Sequence, residues 1–147
     1  MTTPAGDWAD LRALEYPVKA GCGWCTGAPG VGLARLRAGD PAAVERAVPL
    51  VRAKLGKGPD HLCCGAAARA WFLAAAGVKH DRPDWLADAR AAGTRLLADY
   101  RANGCWHLQP CHERHAIPGL MGGLAGMGLL FLHLHRPGAI SPALTLG

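Results

Sequence analysis

The sequence is poor in the residues that build sheets. Phenylalanine and tyrosine occur twice each in 147 residues, isoleucine and threonine are sparse, and alanine and glycine abound. Pleated strands favour β-branched and aromatic side chains, so their scarcity argues for helices. Also missing is any Lys/Arg block of the kind a nucleic-acid arm shows. The 16 basic and 11 acidic residues give a net charge of +5 spread along the chain, which suits an acidic or flexible polypeptide better than nucleic acid. The longest charge-free apolar stretch, residues 116–132, is broken by glycines and a proline and falls short of the roughly 20 residues that span a membrane. The first ten residues show no basic region ahead of an apolar run, so no secretory signal is read and the cytoplasm is the expected compartment. Six cysteines in that setting are expected to be reduced thiols or metal ligands, not a disulfide framework. With half its residues apolar and 18% charged, the chain fits one globular domain with a real core.

What is present reads as helices separated by glycine and proline. Residues 1–30 carry Pro4, Gly6, Pro17, Gly21, Gly23, Gly27, Pro29 and Gly30 and predict an irregular segment that delivers Cys25. Leu33 and Leu36 mark a short helix that Gly39 stops. Asp40-Pro41 then caps a second helix, whose buried face is Val44, Val48, Val51 and Leu55 and which Pro49 is expected to kink or divide. Residues 64–77 are apolar on nearly all sides, the pattern of an interior helix. Asp81-Arg82-Pro83 opens an amphipathic helix with Trp85, Leu86, Ala89, Leu96, Leu97 and Tyr100 inward, closed by Asn103-Gly104. Residues 105–118 form an irregular loop, and residues 119–135 predict another all-apolar helix. Glycine precedes an apolar helix three times, at Gly27, Gly65 and Gly123. Inner apolar helices alternating with outer amphipathic ones suggest an array of helical hairpins with crowded helix starts.

The cysteines fall at those crowded starts. Cys63-Cys64-Gly65 and Cys25-Thr26-Gly27 each sit where a loop meets an apolar helix. Three thiolates on one zinc with an open fourth position make the pattern of a reactive site, and four make a structural one. Spacing alone leaves three outcomes open: zinc on Cys25, Cys63 and Cys64; a structural site that also takes Cys22; and two small buried hydrophobes at positions 63 and 64. Cys22-Gly23-Trp24-Cys25 has the C-x-x-C form of a redox motif but lacks the strand-rich context that motif needs. His61 stands next to the pair and is a weak candidate for catalysis, though a loop histidine is more commonly exposed. His112-Glu113-Arg114-His115 has its histidines three apart in a loop, where the metalloprotease helix requires four. His133 and His135 are expected to favour the negative end of the last helix. Trp24, Trp71 and Trp85 are expected in the core.

Taken together, Trp24-Cys25-Thr26-Gly27-Ala28-Pro29-Gly30, Leu62-Cys63-Cys64-Gly65 and Pro118-Gly119-Leu120-Met121-Gly122-Gly123-Leu124-Ala125-Gly126 resemble, in the same order, motifs of the lanthionine synthetase C family. The Ser141-Pro142-Ala143-Leu144 ending is similar to the tails of class II lanthipeptide synthetases. The resemblance implies an all-α fold, part of a double-ring (α/α) toroid. Residues 1–23 would be an irregular segment and residues 24–147 the C-terminal half of a cyclase domain, or roughly its last two to three hairpins. It implies one zinc ion on Cys25, Cys63 and Cys64, the three-cysteine variant. The implied activity is addition of a peptide cysteine to dehydroalanine or dehydrobutyrine in a dehydrated precursor. The family's proton-handling histidine lies well before the Trp-Cys motif, where this sequence has only 23 residues, so a missing half-domain or a second copy is an expected partner. Two other readings stand beside it: a zinc-stabilised, non-catalytic peptide-binding module, and a thiol redox protein using Cys22 and Cys25.

Overall fold

A computed structural model of the chain describes Trp8 and residues 22–108 and 117–139. Those residues form five helices and no strand: α1 (Ala28–Ala38), α2 (Pro41–Arg52), α3 (Ala66–Lys79), α4 (Pro83–Asn103) and α5 (Leu124–His135). One isolated antiparallel bridge joins Cys22 to Gly27. Of the expected loop of residues 105–118, residues 109–116 with His112 and His115 lie outside the described residues, as does most of the N-terminal segment.

Local chemistry sets most boundaries where the sequence puts them. Gly39 ends α1 in the left-handed region at φ 72°, with its N–H donating back into the last turn. Asp40 caps α2 by accepting from the Ala43 N–H at 3.1 Å, ahead of Pro41 at the first helical position. Gly104 closes α4 in the same way as Gly39 closes α1. Pro49 does not divide α2. It lies on the exposed side with Glu45, so water can serve the carbonyl that loses its partner, and the helix runs on to Arg52. Leu55 is buried from the turn that follows, not from the helix itself.

α3 is the centre of the packing. It meets α1 on one side, α5 on another, and α4 along its length, while α2 packs on α1 and α3. Each amphipathic helix therefore lies over a junction between two apolar ones, which matches the predicted inner and outer alternation. α3 is buried nearly all round, including Trp71, Phe72 and Leu73, and α4 adds Trp85, Ala89, Ala92 and Leu96. Arg52 ties α2 to α4 through Asp84 and Asp88 on the surface, a contact worth little in water.

Further expectations change: α1 starts at Ala28, inside the segment 1–30 expected to be irregular, and Tyr100, expected inward on α4, is exposed. α5 starts at Leu124, and residues 120–123 form a turn ahead of it. It is also not interior on all sides: Leu124, Ala125, Gly128 and Leu132 are exposed, Leu132 by 58%. The reason is position in the packing, since α5 has a neighbour on the α3 side and none beyond it among the described residues.

Candidate metal centre

Three glycine-led loops meet at one end of the inner helices. The close approach that glycine permits is explicit at Gly65 and Gly123. A Cβ on Gly65 would sit 2.4 Å from the His61 carbonyl oxygen, and one on Gly123 would sit 2.1 Å from that of Ile117. In each case the loop folds back behind the helix start, and the first free helix amides find carbonyls there. Ala66 donates to Pro59, Ala67 to Asp60, and Leu124 to Ile117. Backbone hydrogen bonds then fasten loop to loop. The Trp24 N–H donates to the Cys63 carbonyl at 2.6 Å, and the Cys63 N–H donates to the Met121 carbonyl at 2.8 Å. Asp60 reaches sideways to residue 107 by two further bonds, one from its amide and one to its carboxylate.

That stitching brings three thiols together. Cys25 Sγ lies 3.1 Å from Cys64 Sγ, which lies 3.5 Å from Cys63 Sγ, and all three sulfurs fall within 4.8 Å of one another. None is in a disulfide. Sulfurs bound tetrahedrally to one zinc at about 2.3 Å would be about 3.8 Å apart, and the 3.1 and 3.5 Å separations fall a little short of that spacing. Cys25 and Cys64 are exposed and Cys63 half-buried, so the group opens to solvent. It fits a soft metal with room for one more ligand.

Electrostatics agree. Partial burial pushes the Cys25 thiol up, but contacts from Cys64 and Cys63, with Thr26 and its own amide, outweigh burial and the net shift is down. Burial and the neighbouring Cys25 push Cys63 up, and burial with Cys25 and Cys63 pushes Cys64 up to about 12. Three sulfurs this close resist being thiolates together unless a cation joins them. The N-termini of α1 and α3 both begin just after these cysteines and favour negative charge there.

The predicted site residues fare differently. Cys25, Cys63 and Cys64 converge. Cys22 stands outside their group, buried, with its thiol 3.8 Å from the Leu50 carbonyl oxygen. His61 is buried, not exposed: Nδ1 accepts the Cys64 N–H at 3.3 Å, and the ring also bonds the Met121 carbonyl. Burial lowers its pKa, so the ring is neutral and braced. His133 does not serve the end of α5. It is buried and stacked on Trp71, with centroids 4.2 Å apart. Trp71 and Trp85 are core, and Trp24 is half-buried beside the site.

Sequence reasoning passed over Arg69, which is 4% exposed and reaches the site from α3. It donates to the carbonyls of Cys22 at 3.0 Å and Cys64 at 3.5 Å, and also to that of Lys57. The signal was a lone arginine in an otherwise apolar run. A cavity of about 510 Å³ is lined not by Cys25, Cys63 or Cys64 but by Asp60, Arg95, Asp99, Asn103, Cys105 and His107 among others.

Residues 2–145 match the family model described as Lanthionine synthetase C-like protein. No curated protein and no solved structure matches the chain.

Proposed function

The chain belongs to the lanthionine synthetase C-like family, and on that premise we propose that Cys25, Cys63 and Cys64 hold one zinc ion in a site that closes thioether rings on a dehydrated ribosomal peptide. The observation that carries this reading is the meeting of three free thiols from two distant loops within 4.8 Å. When bound, zinc supplies a Lewis-acidic position that keeps a substrate cysteine as thiolate near neutral pH. The ring-closing addition forms one S–C bond to the β-carbon of dehydroalanine or dehydrobutyrine. The π pair moves to the α-carbon, which takes one proton.

The chain's own residues set the stage. Exposure of Cys25 and Cys64 gives a peptide access to the open position. His61 fixes Cys64 through its backbone and, with both ring nitrogens engaged, acts as a positioning residue. Residues 24–147 are proposed as the C-terminal half of a cyclase domain, completed by an upstream half-domain or a second copy. The exposed face of α5 at Leu124 and Leu132 is the edge such a completion would cover. A reducing cytoplasm suits the free thiols.

A zinc-stabilised module that binds peptide without catalysis is the second reading, favoured by the engagement of His61. The test incubates the zinc-loaded chain with a dehydrated, cysteine-containing peptide and follows free thiols and mass. Loss of thiol at constant mass is expected for ring closure, whereas binding without thiol loss selects the second reading. Absence of zinc uptake sinks both.

A further inference from the structure

Arg69 is buried and carries a full positive charge among apolar neighbours on α3. Its guanidinium is held by three backbone carbonyls, those of Cys22, Lys57 and Cys64, and its Nε has no hydrogen-bond partner. Among the described residues no carboxylate pairs with it. An unpaired buried cation is costly, and neutral carbonyls replace only part of the lost hydration. A fold keeps such a charge where a negative group lies close by, and the sulfurs that act on it electrostatically are Cys22 and Cys64, the latter belonging to the three grouped thiols.

Those thiols supply the missing charge once a metal is bound. A divalent cation with three thiolates carries one net negative charge, and a substrate thiolate makes it two. We infer that Arg69 is the counter-charge of the three-thiolate centre, offsetting its negative charge from beneath while its fork holds the Cys22 and Cys64 loops in register. The inference rests on the zinc reading above. It makes Arg69 a positioning residue that does not touch substrate. It also gives a physical reason for a third cysteine to be tolerated where a neutral ligand would carry less charge. The low-dielectric surroundings of the guanidinium strengthen the attraction relative to a surface pair.

A purely mechanical clamp between loops is the competing account, and two substitutions separate them. Arg69→Gln keeps amide donors and removes the charge; Arg69→Lys keeps the charge and removes the fork. Zinc affinity is read by chelator competition on the full chain, and the cobalt-loaded protein is read by its sulfur-to-metal charge-transfer band. Arg69→Gln is expected to weaken zinc binding by about 10- to 100-fold and to move the cobalt band to longer wavelength, because thiolates facing less positive charge give up electrons more readily. Arg69→Lys is expected to stay near wild type on both. Wild-type affinity in Arg69→Gln overturns the inference, and so does equal loss in the two variants. Should Arg69→Gln lose its helical circular dichroism, Arg69→Lys decides: an unshifted band with retained affinity supports the inference, and a shifted band or lost affinity overturns it. A wild-type chain that takes up no metal overturns the zinc reading along with this one. One equivalent of zinc in wild type with no change in Arg69→Gln overturns this one alone.

Discussion

The sulfurs of Cys25 and Cys64 lie 3.1 Å apart although 39 positions separate them in the chain. Their approach is a consequence of main-chain bonding more than of the thiols themselves. The Trp24 amide is fastened to the Cys63 carbonyl, so the two cysteine loops form one unit before any ligand arrives. The ligand set should therefore be separable from the scaffold. Single Cys25→Ala, Cys63→Ala and Cys64→Ala substitutions are expected to abolish stoichiometric zinc uptake while leaving the helical signal intact. Cys22→Ala is expected to keep its zinc and lose about 1 kcal/mol of stability, as a small side chain leaves the core. Metal analysis after gel filtration checks both. Loss of zinc on changing Cys22 would point to a four-cysteine structural site.

His61 should behave as a brace, with no part in proton transfer. Its removal by His61→Ala leaves the Cys64 amide without its acceptor and the Met121 carbonyl without one donor. An unsatisfied buried group of this kind costs about 1–3 kcal/mol. Loss of an outer-shell partner weakens a metal by about 10- to 100-fold. The expected result is a lower denaturant midpoint together with weaker zinc binding in chelator competition. Unchanged zinc affinity with a lost rate of ring closure would instead make His61 an acid–base group.

The helical class, the starts of α2 and α4 and, to within two residues, that of α3 could be read from the chain because local rules govern them. Asp40-Pro41, Gly39 and Gly104 act through their own turns, and Cys63-Cys64-Gly65 sits in a recognisable motif. The start of α5 reads two ways in the sequence, at Gly119 from the apolar run and after Gly123 from the repeat, because Gly119, Gly122 and Gly123 are equally apolar in pattern. Only the return of Ile117 behind Gly123 decides where the helix begins. The roles of His61, His133 and Arg69 were not legible for a related reason. Each depends on a partner far along the chain: Met121, Trp71 and Cys22 respectively. A histidine beside a cysteine pair looks the same in sequence whether it faces solvent or a carbonyl.

The loop behind α5 gives a paired stability test. Gly123→Ala places a Cβ 2.1 Å from the Ile117 carbonyl oxygen, and backbone cannot swing aside as a side chain can. The expected cost is about 1–3 kcal/mol or more, with some loss of metal affinity, since the same loop carries the Met121 carbonyl that Cys63 and His61 use. Gly128→Ala on the exposed face of α5 meets nothing within 4 Å and should stabilise the helix by about 1 kcal/mol. Urea midpoints of the two variants should move in opposite directions. Movement in the same direction would contradict the placement of one of these glycines.

Acid should weaken the fold through His133. Burial against Trp71 lowers its pKa, and no charged group acts to raise it. The neutral ring is therefore the form the folded state holds, while the unfolded chain takes up a proton near the ordinary value of about 6.5. Above that pH the contribution to stability is constant. Below it the unfolded state binds the proton that the folded state refuses, so stability falls by up to about 1.4 kcal/mol per pH unit until the folded value is reached. His61, also lowered by burial, acts with the same sign, and protonation of metal thiolates would add to it. The specific measurement is thus a difference between proteins. His133→Phe keeps a ring against Trp71 and removes the proton site, so its urea midpoint should drop less than the wild type between pH 7.5 and 5.5. An undiminished slope in His133→Phe would assign the acid sensitivity to the cysteine loops instead.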